Sequence, residues 1–185
     1  MRLSDADILF VPGKGNSGPG HWQRRWAERF STGSVVEQEN WSRPDRQQWV
    51  GVLQHEIMMA TRPVVLIGHS LGVTTIAHTA ALLADTKVRG AFLVAPSDPE
   101  RDRGVARGVK TFAPVPTDPL PFPSMLIASS NDIYCSLERA AEFATAWGSD
   151  FHVAGEMGHI NADSGHGPWP EGLMMLTRLM QRLHA

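Results

Sequence analysis

One cysteine, Cys135, stands in a chain of 185 residues. An internal disulfide framework is therefore excluded. Long hydrophobic runs are also missing, and the longest fall far short of a membrane span. The opening Met1-Arg2-Leu3-Ser4-Asp5-Ala6-Asp7 is too polar for the core of a signal peptide. Together these point to a cytoplasmic protein that does not enter a membrane. Charge of one sign is lacking too. A formal net charge of -2 gives no electrostatic case for binding nucleic acid or an anionic lipid surface. Eight histidines invite a search for metal ligands. No His-Glu-x-x-His occurs, Cys135 has no partner at ligand spacing, and Asp163 with His166 makes only a pair, so no metal is expected. Neither a Gly-x-x-x-x-Gly-Lys-Ser/Thr loop nor a convincing dinucleotide fingerprint is present, and no cofactor is expected.

What is present is a regular alternation. Ala6 to Pro12, Val35-Val36 to Trp41, Val64 to Ile67, Ala91 to Ala95, Met125 to Ala128 and Phe151 to Val153 read as strands. Helical spacing runs over His21–Ser31, over the segment started by Ser42-Arg43-Pro44-Asp45, and over Val73–Leu83, Leu137–Trp147 and Glu171–Leu183. Continuous apolar strands separated by helices predict a mostly parallel sheet covered on both faces. The length fits one α/β domain over residues 1–185. Ligands of such sheets bind at the carboxyl ends of the strands, so the loops there are the ones to search.

The loop after the third strand reads Gly68-His69-Ser70-Leu71-Gly72, a Gly-x-Ser-x-Gly between strand and helix. A serine hydroxyl is a weak nucleophile that needs exposure, a base and an oxyanion site. A sharp strand-to-helix turn supplies the exposure, and its glycines leave room for the neighbouring strand and helix. The N–H of Leu71, at a helix start, is the first oxyanion donor expected. In this fold type the acid and then the histidine follow the serine. Asp132 in Ser129-Ser130-Asn131-Asp132 and His159 in Gly158-His159-Ile160-Asn161 both lie in strand-end loops and in that order. Asp98 is the competing acid and His166 the competing base, while Asp163 lies too near His159 in sequence to be placed opposite it. His69 should point away from Ser70 and pack beneath the turn. His55, His78, His152 and His184 fall on helices or a strand, and Cys135 suits a packed small residue.

The glycine-rich loop Gly13–Gly20 follows the first strand, where the second oxyanion donor is expected. Lys14 N–H is the candidate, with Gly15 beside it. His21 and Trp22 either wall the substrate pocket or pack as helix and surface residues, and Trp169, between two prolines, is a candidate for its rim. Pro96–Pro123, rich in proline and charge, is either a lid or an ordinary surface connection.

These pieces resemble the small α/β-hydrolases of the YdeN and retinoblastoma-binding-protein type. The carriers are Val11-Pro12-Gly13 with His21-Trp22-Gln23, Gly68–Gly72, Val94-Ala95-Pro96, Pro121-Phe122-Pro123-Ser124, Ser129–Asp132, Gly158–Asn161 and Ser164-Gly165-His166-Gly167-Pro168-Trp169-Pro170. The likeness spans almost the whole chain. It implies an α/β-hydrolase fold without a large cap and a triad of Ser70, Asp132 and His159. Ile133 departs from the pattern, since a proline often follows the acid there. The expected activity is cleavage of small ester or amide bonds through an acyl-enzyme. A non-catalytic binding module on the same fold, or acyl transfer by the same triad, are the alternatives.

Overall fold

A computed structural model describes residues 1–83, 87–101 and 108–183. Six parallel strands form one sheet: β1 (Asp7–Val11), β2 (Gly33–Val35), β3 (Val64–Ser70), β4 (Val88–Pro96), β5 (Ser124–Ala128) and β6 (Asp150–Val153). Their spatial order is β2-β1-β3-β4-β5-β6. Five helices connect them: α1 (Trp22–Arg29), α2 (Arg46–Met59), α3 (Leu71–Ala80), α4 (Leu137–Trp147) and α5 (Pro170–Arg182).

The central strands are apolar on both sides because both sides are covered. Leu9, Val11, Val64, Leu66 and Leu93 point to one face, where they meet Leu53 and Ile57 of α2, Val73 and Ile76 of α3, and Phe143 and Trp147 of α4. Ile8, Phe10, Val65, Ile67, Phe92 and Val94 point to the other, onto Trp22 and Trp26 of α1 and Leu176 and Leu179 of α5. No large cap domain is present among the described residues, and none of their helices is long and apolar enough to cross a membrane.

Two expected elements shift. The edge strand was expected over Val35–Trp41 but occupies Gly33–Val35. Val36 N–H still donates to Phe10 O (2.8 Å), after which the chain leaves the sheet. The Glu37-Gln38-Glu39-Asn40 that follows carries no apolar side chains for either face. Pro96–Pro123, read as too broken for a helix, contains one 3-10 turn at Lys110–Phe112. Phe112 is buried there against Trp49 and Leu71, and His78 Nε2–H donates to its carbonyl (2.7 Å). The lid reading falls partly on residues 102–107, and the reading of His184 wholly, outside the described residues.

The strand order reverses direction between β1 and β3. The chain leaves β1 toward β2 on one side and leaves β3 toward β4 on the other, so the loops after β1 and β3 part and open a crevice between them. Ser70 stands at that crevice.

Candidate active site

Ser70 ends β3 and caps α3 with φ 57° and ψ -125°, a conformation that side-chain-bearing residues rarely adopt. Its surroundings explain the motif around it. A Cβ on Gly68 would stand 2.7 Å from Ile76 Cδ1 and 3.2 Å from Val73 Cα, so it would collide with α3. A Cβ on Gly72 would stand 1.9 Å from Val11 O, inside the end of β1. Leu71 is the first residue of α3, so its N–H is one of the amides a helix leaves without an intrahelical acceptor.

His159 Nε2 lies 2.8 Å from Ser70 Oγ, and His159 Nδ1 lies 2.8 Å from Asp132 Oδ2. With the carboxylate accepting from Nδ1–H, Nε2 is the acceptor for the serine proton. Asp132 also accepts from Tyr134 N–H through Oδ1 (2.9 Å), and the carboxylate is buried. The acid and base loops are stitched together. Ser129 Oγ, itself buried, donates to Asn131 Oδ1 (2.8 Å) and accepts from Met157 N–H (2.9 Å). Gly158 N–H donates to the same Asn131 Oδ1 (2.7 Å), and Ser130 N–H donates to Gly155 O (2.9 Å). The Tyr134 ring lies over the His159 imidazole at 4.2 Å between centroids.

The competing residues are engaged elsewhere. Asp98 pairs with Arg139 (3.7 Å) and accepts from Glu100 N–H (3.0 Å). His166 bonds Ser164 Oγ (3.1 Å) and lies edge-on to Trp169. Cys135 is buried, and burial, with help from Asp98 and Asp132, pushes its thiol up to about 12. His69 packs beneath the elbow and donates Nε2–H to the His159 carbonyl (2.8 Å). Burial holds its pKa well below the ordinary histidine value, and the neighbouring His159 and His21 add to that. Among the described residues no group of three or more His, Cys, Asp or Glu could hold a metal ion.

A cleft of about 850 Å³ opens over Ser70. Lys14, Gly15, His21, Ser97, Val109, Ile133 and Asp163 are among the residues around it. Lys14 Nζ lies 3.2 Å from where a Cβ on Gly108 would be. Gly15 borders the cleft, but its N–H donates to Trp41 O (2.9 Å), so that amide is already engaged. His21 borders the cleft from a buried position rather than from the surface.

Neither Trp22 nor Trp169 lines the cleft: Trp22 packs in its helix, one of its two readings, and Trp169 is not at the rim expected for it. Both are buried beneath it with Trp26, Trp169 stacking on Trp26 at 5.8 Å and 8°. The indoles prop the base loop from below, with Trp22 Nε1–H donating to Ile160 O (2.8 Å) and Trp26 Nε1–H to Pro168 O (3.3 Å). A flat side chain with one donor fits that place better than an exposed rim.

Gln23 has a part that its sequence context alone did not reveal. It is fully buried in α1, and its amide accepts from Ser17 Oγ–H (2.7 Å) and donates to Val11 O (3.3 Å) and Ile67 O (2.9 Å). One side chain thus ties the glycine-rich loop to the ends of β1 and β3. The available signal was an amide set among apolar helix positions beside two tryptophans. Gln23→Leu is expected to lower stability by about 3 kcal/mol, since three buried partners lose their bonds. A thermal melt would read this as a midpoint drop on the order of 6–12 °C.

His21 gives the site a pH-dependent fold. Its Nδ1 accepts from Gln23 N–H (3.1 Å), and burial first, then the charges of His159 and His166, bring its pKa to about 4. The unfolded chain protonates this residue near 6.5. Below pH 6.5 protons therefore favour the unfolded chain, and the loss grows until the folded pKa is passed. His21 alone makes folding about 3 kcal/mol less favourable at pH 4 than at pH 7. Denaturant midpoints between these values should fall steeply for the wild type and less steeply for His21→Gln.

Comparisons with known proteins show the family and the fold. The family profile described as serine hydrolase matches residues 8–178. A solved YdeN-like hydrolase from Pectobacterium atrosepticum is 34% identical, with 97% of this chain and 93% of that chain covered and a TM-score of 0.87. The ydeN gene product of B. subtilis is 18% identical over 96% of this chain and 100% of that chain, with a TM-score of 0.70. Thermogutta terrifontis esterase 2 has the same fold at 17% identity, 100% and 88% coverage and a TM-score of 0.65. No curated protein matches. With a family profile over nearly its whole length and a YdeN-like relative at a third identity, the chain belongs to the serine hydrolase family, in its compact YdeN-like form.

Proposed function

We propose that the protein hydrolyses small ester or amide substrates through an acyl-enzyme on Ser70. The observation that carries this reading is the unbroken chain from Ser70 Oγ through His159 to Asp132, each link 2.8 Å, at the floor of an open cleft. Ser70 Oγ attacks the substrate carbonyl while its proton passes to His159 Nε2. Asp132 holds the imidazole in the right tautomer and steadies the imidazolium that forms. The carbonyl oxygen takes on negative charge, and the N–H groups of Leu71, at the helix start, and Lys14 are assigned to stabilise it. Collapse expels the alcohol or amine, which takes the proton back from His159. Water then attacks the acyl carbon and gives its proton to His159, which passes it to Ser70 Oγ as the carbon–Oγ bond breaks and the acid leaves. The esterase that shares this fold, Thermogutta terrifontis esterase 2, makes ester cleavage the first activity to assay.

The test is a panel of short-chain nitrophenyl esters and aminoacyl amides, paired with a fluorophosphonate probe located by mass spectrometry. A single adduct on Ser70 with ester or amide turnover is the expected result. An unlabelled protein that turns over nothing would leave only a binding role for this fold. Added alcohols or amines divert the acyl group into new products only if acyl transfer competes with hydrolysis.

A further inference from the structure

We infer that Ser97 is a further catalytic residue, donating a hydrogen bond to the nucleophile oxygen itself. The inference rests on the acyl-enzyme reading above. Ser97 Oγ lies 3.3 Å from Ser70 Oγ, and Ser97 borders the cleft. Proton accounting sets the direction of the bond. Ser70 has one proton, and His159 Nε2 at 2.8 Å takes it. The hydroxyl of Ser97 must then be the donor and Ser70 Oγ the acceptor.

The backbone holds Ser97 to this position from both sides. Its N–H donates to Ser70 O (3.3 Å), and its carbonyl accepts from Thr74 Oγ1–H (3.1 Å) on α3. Just before it, β4 breaks register, with Ser70 paired to Pro96 after His69 pairs with Val94. Ala95 there has φ 47°, the left-handed region, although it is not glycine. That bend turns the chain end back over the elbow instead of letting it run on past β3. Strain of this kind persists where the surrounding structure demands it.

The resting contact is long for a hydroxyl pair. It has little to hold while Ser70 Oγ is neutral. As the proton moves to His159, Oγ gains negative charge, and the Ser97 bond shortens and strengthens. In the acyl-enzyme Oγ is an ester oxygen, a poor acceptor, and the bond relaxes. In deacylation the carbon–Oγ bond breaks and the charge on Oγ returns, so Ser97 acts a second time. This donor serves the attacking and departing oxygen, whereas the oxyanion donors serve the carbonyl oxygen. Its effect should fall on kcat and leave KM nearly unchanged.

The experiment compares wild type, Ser97→Ala and Ser97→Thr in fluorophosphonate inactivation and in turnover of a nitrophenyl ester, each after a thermal melt. Ser97→Ala is expected to lower the inactivation rate and kcat roughly 10- to 100-fold, the loss for a hydrogen bond to a charged group. KM should stay within about twofold. Ser97→Thr, which keeps the hydroxyl, should return most of the loss. Wild-type rates in Ser97→Ala would overturn the role of Ser97 while leaving the serine hydrolase reading intact. A loss that appears in KM, or that Thr fails to restore, would overturn it as well, marking the residue as packing. A wild type that the probe does not label would overturn both readings together.

Discussion

Ser70→Ala is expected to lower ester turnover on the order of a million-fold, with the fold intact. The alanine removes one oxygen from a half-exposed position at the start of α3, so nothing in the core loses contact. What is lost is the atom proposed to form the acyl-enzyme. His159→Ala should cost about as much, because an unassisted hydroxyl holds its proton at neutral pH. The double variant should be scarcely worse than either single one, since the two residues act as a unit. Single-turnover rates for the three variants measure this directly. Equal turnover in wild type and Ser70→Ala would remove the nucleophile from the mechanism.

The second large effect concerns the fold. Gly72→Ala is expected to cost on the order of 4 kcal/mol, a large share of the stability of a domain of this kind. The added methyl would stand 1.9 Å from Val11 O and 2.8 Å from Pro12 O. Neither neighbour can yield cheaply. Val11 O accepts from Gln23, and β1 is paired to β3 through Asp7 to Val11. Moving α3 instead would drag Ser70 and the cleft floor with it. Gly51→Ala is the control for the substitution itself. That residue lies exposed on α2, with nothing within 4 Å of an added Cβ, and the change should stabilise the helix by about 1 kcal/mol. Chemical denaturation of the two variants should move in opposite directions. Wild-type stability for Gly72→Ala would mean that β1 and α3 stand farther apart than described.

Much of this architecture could be read from the chain because its signals are local. Val64 to Ile67 and Ala91 to Ala95 are apolar without interruption, as strands covered on both faces must be. Asp45 caps its helix by accepting from Gln48 N–H (3.0 Å), as its place before the helical segment foretold. The elbow was legible because steric demand fixes its glycines. What escaped depends on side chains meeting across long stretches of sequence. Trp22 and Trp169 are 147 positions apart, and no spacing rule says that they pack together beneath the base loop instead of lining the cleft. Gln23 offered only the signal of an amide beside tryptophans, since its three partners lie on three different segments. Ser97 was hidden for another reason. Only the left-handed bend at Ala95 turns it toward Ser70, and a backbone angle of that kind is not written in residue type.

The seam between Ser129–Asn131 and Met157–Gly158 joins one side of the cleft into a single hydrogen-bonded unit. The proposed acid and base, Asp132 and His159, are thus bonded to one another and their loops are bonded too. The opposite wall, from Lys14 to Gly15 and on to Val109, shares none of those bonds. On the proposed mechanism, substitutions meant to change substrate scope belong on the Lys14 side, because those on the other side would break bonds of the proposed proton relay first.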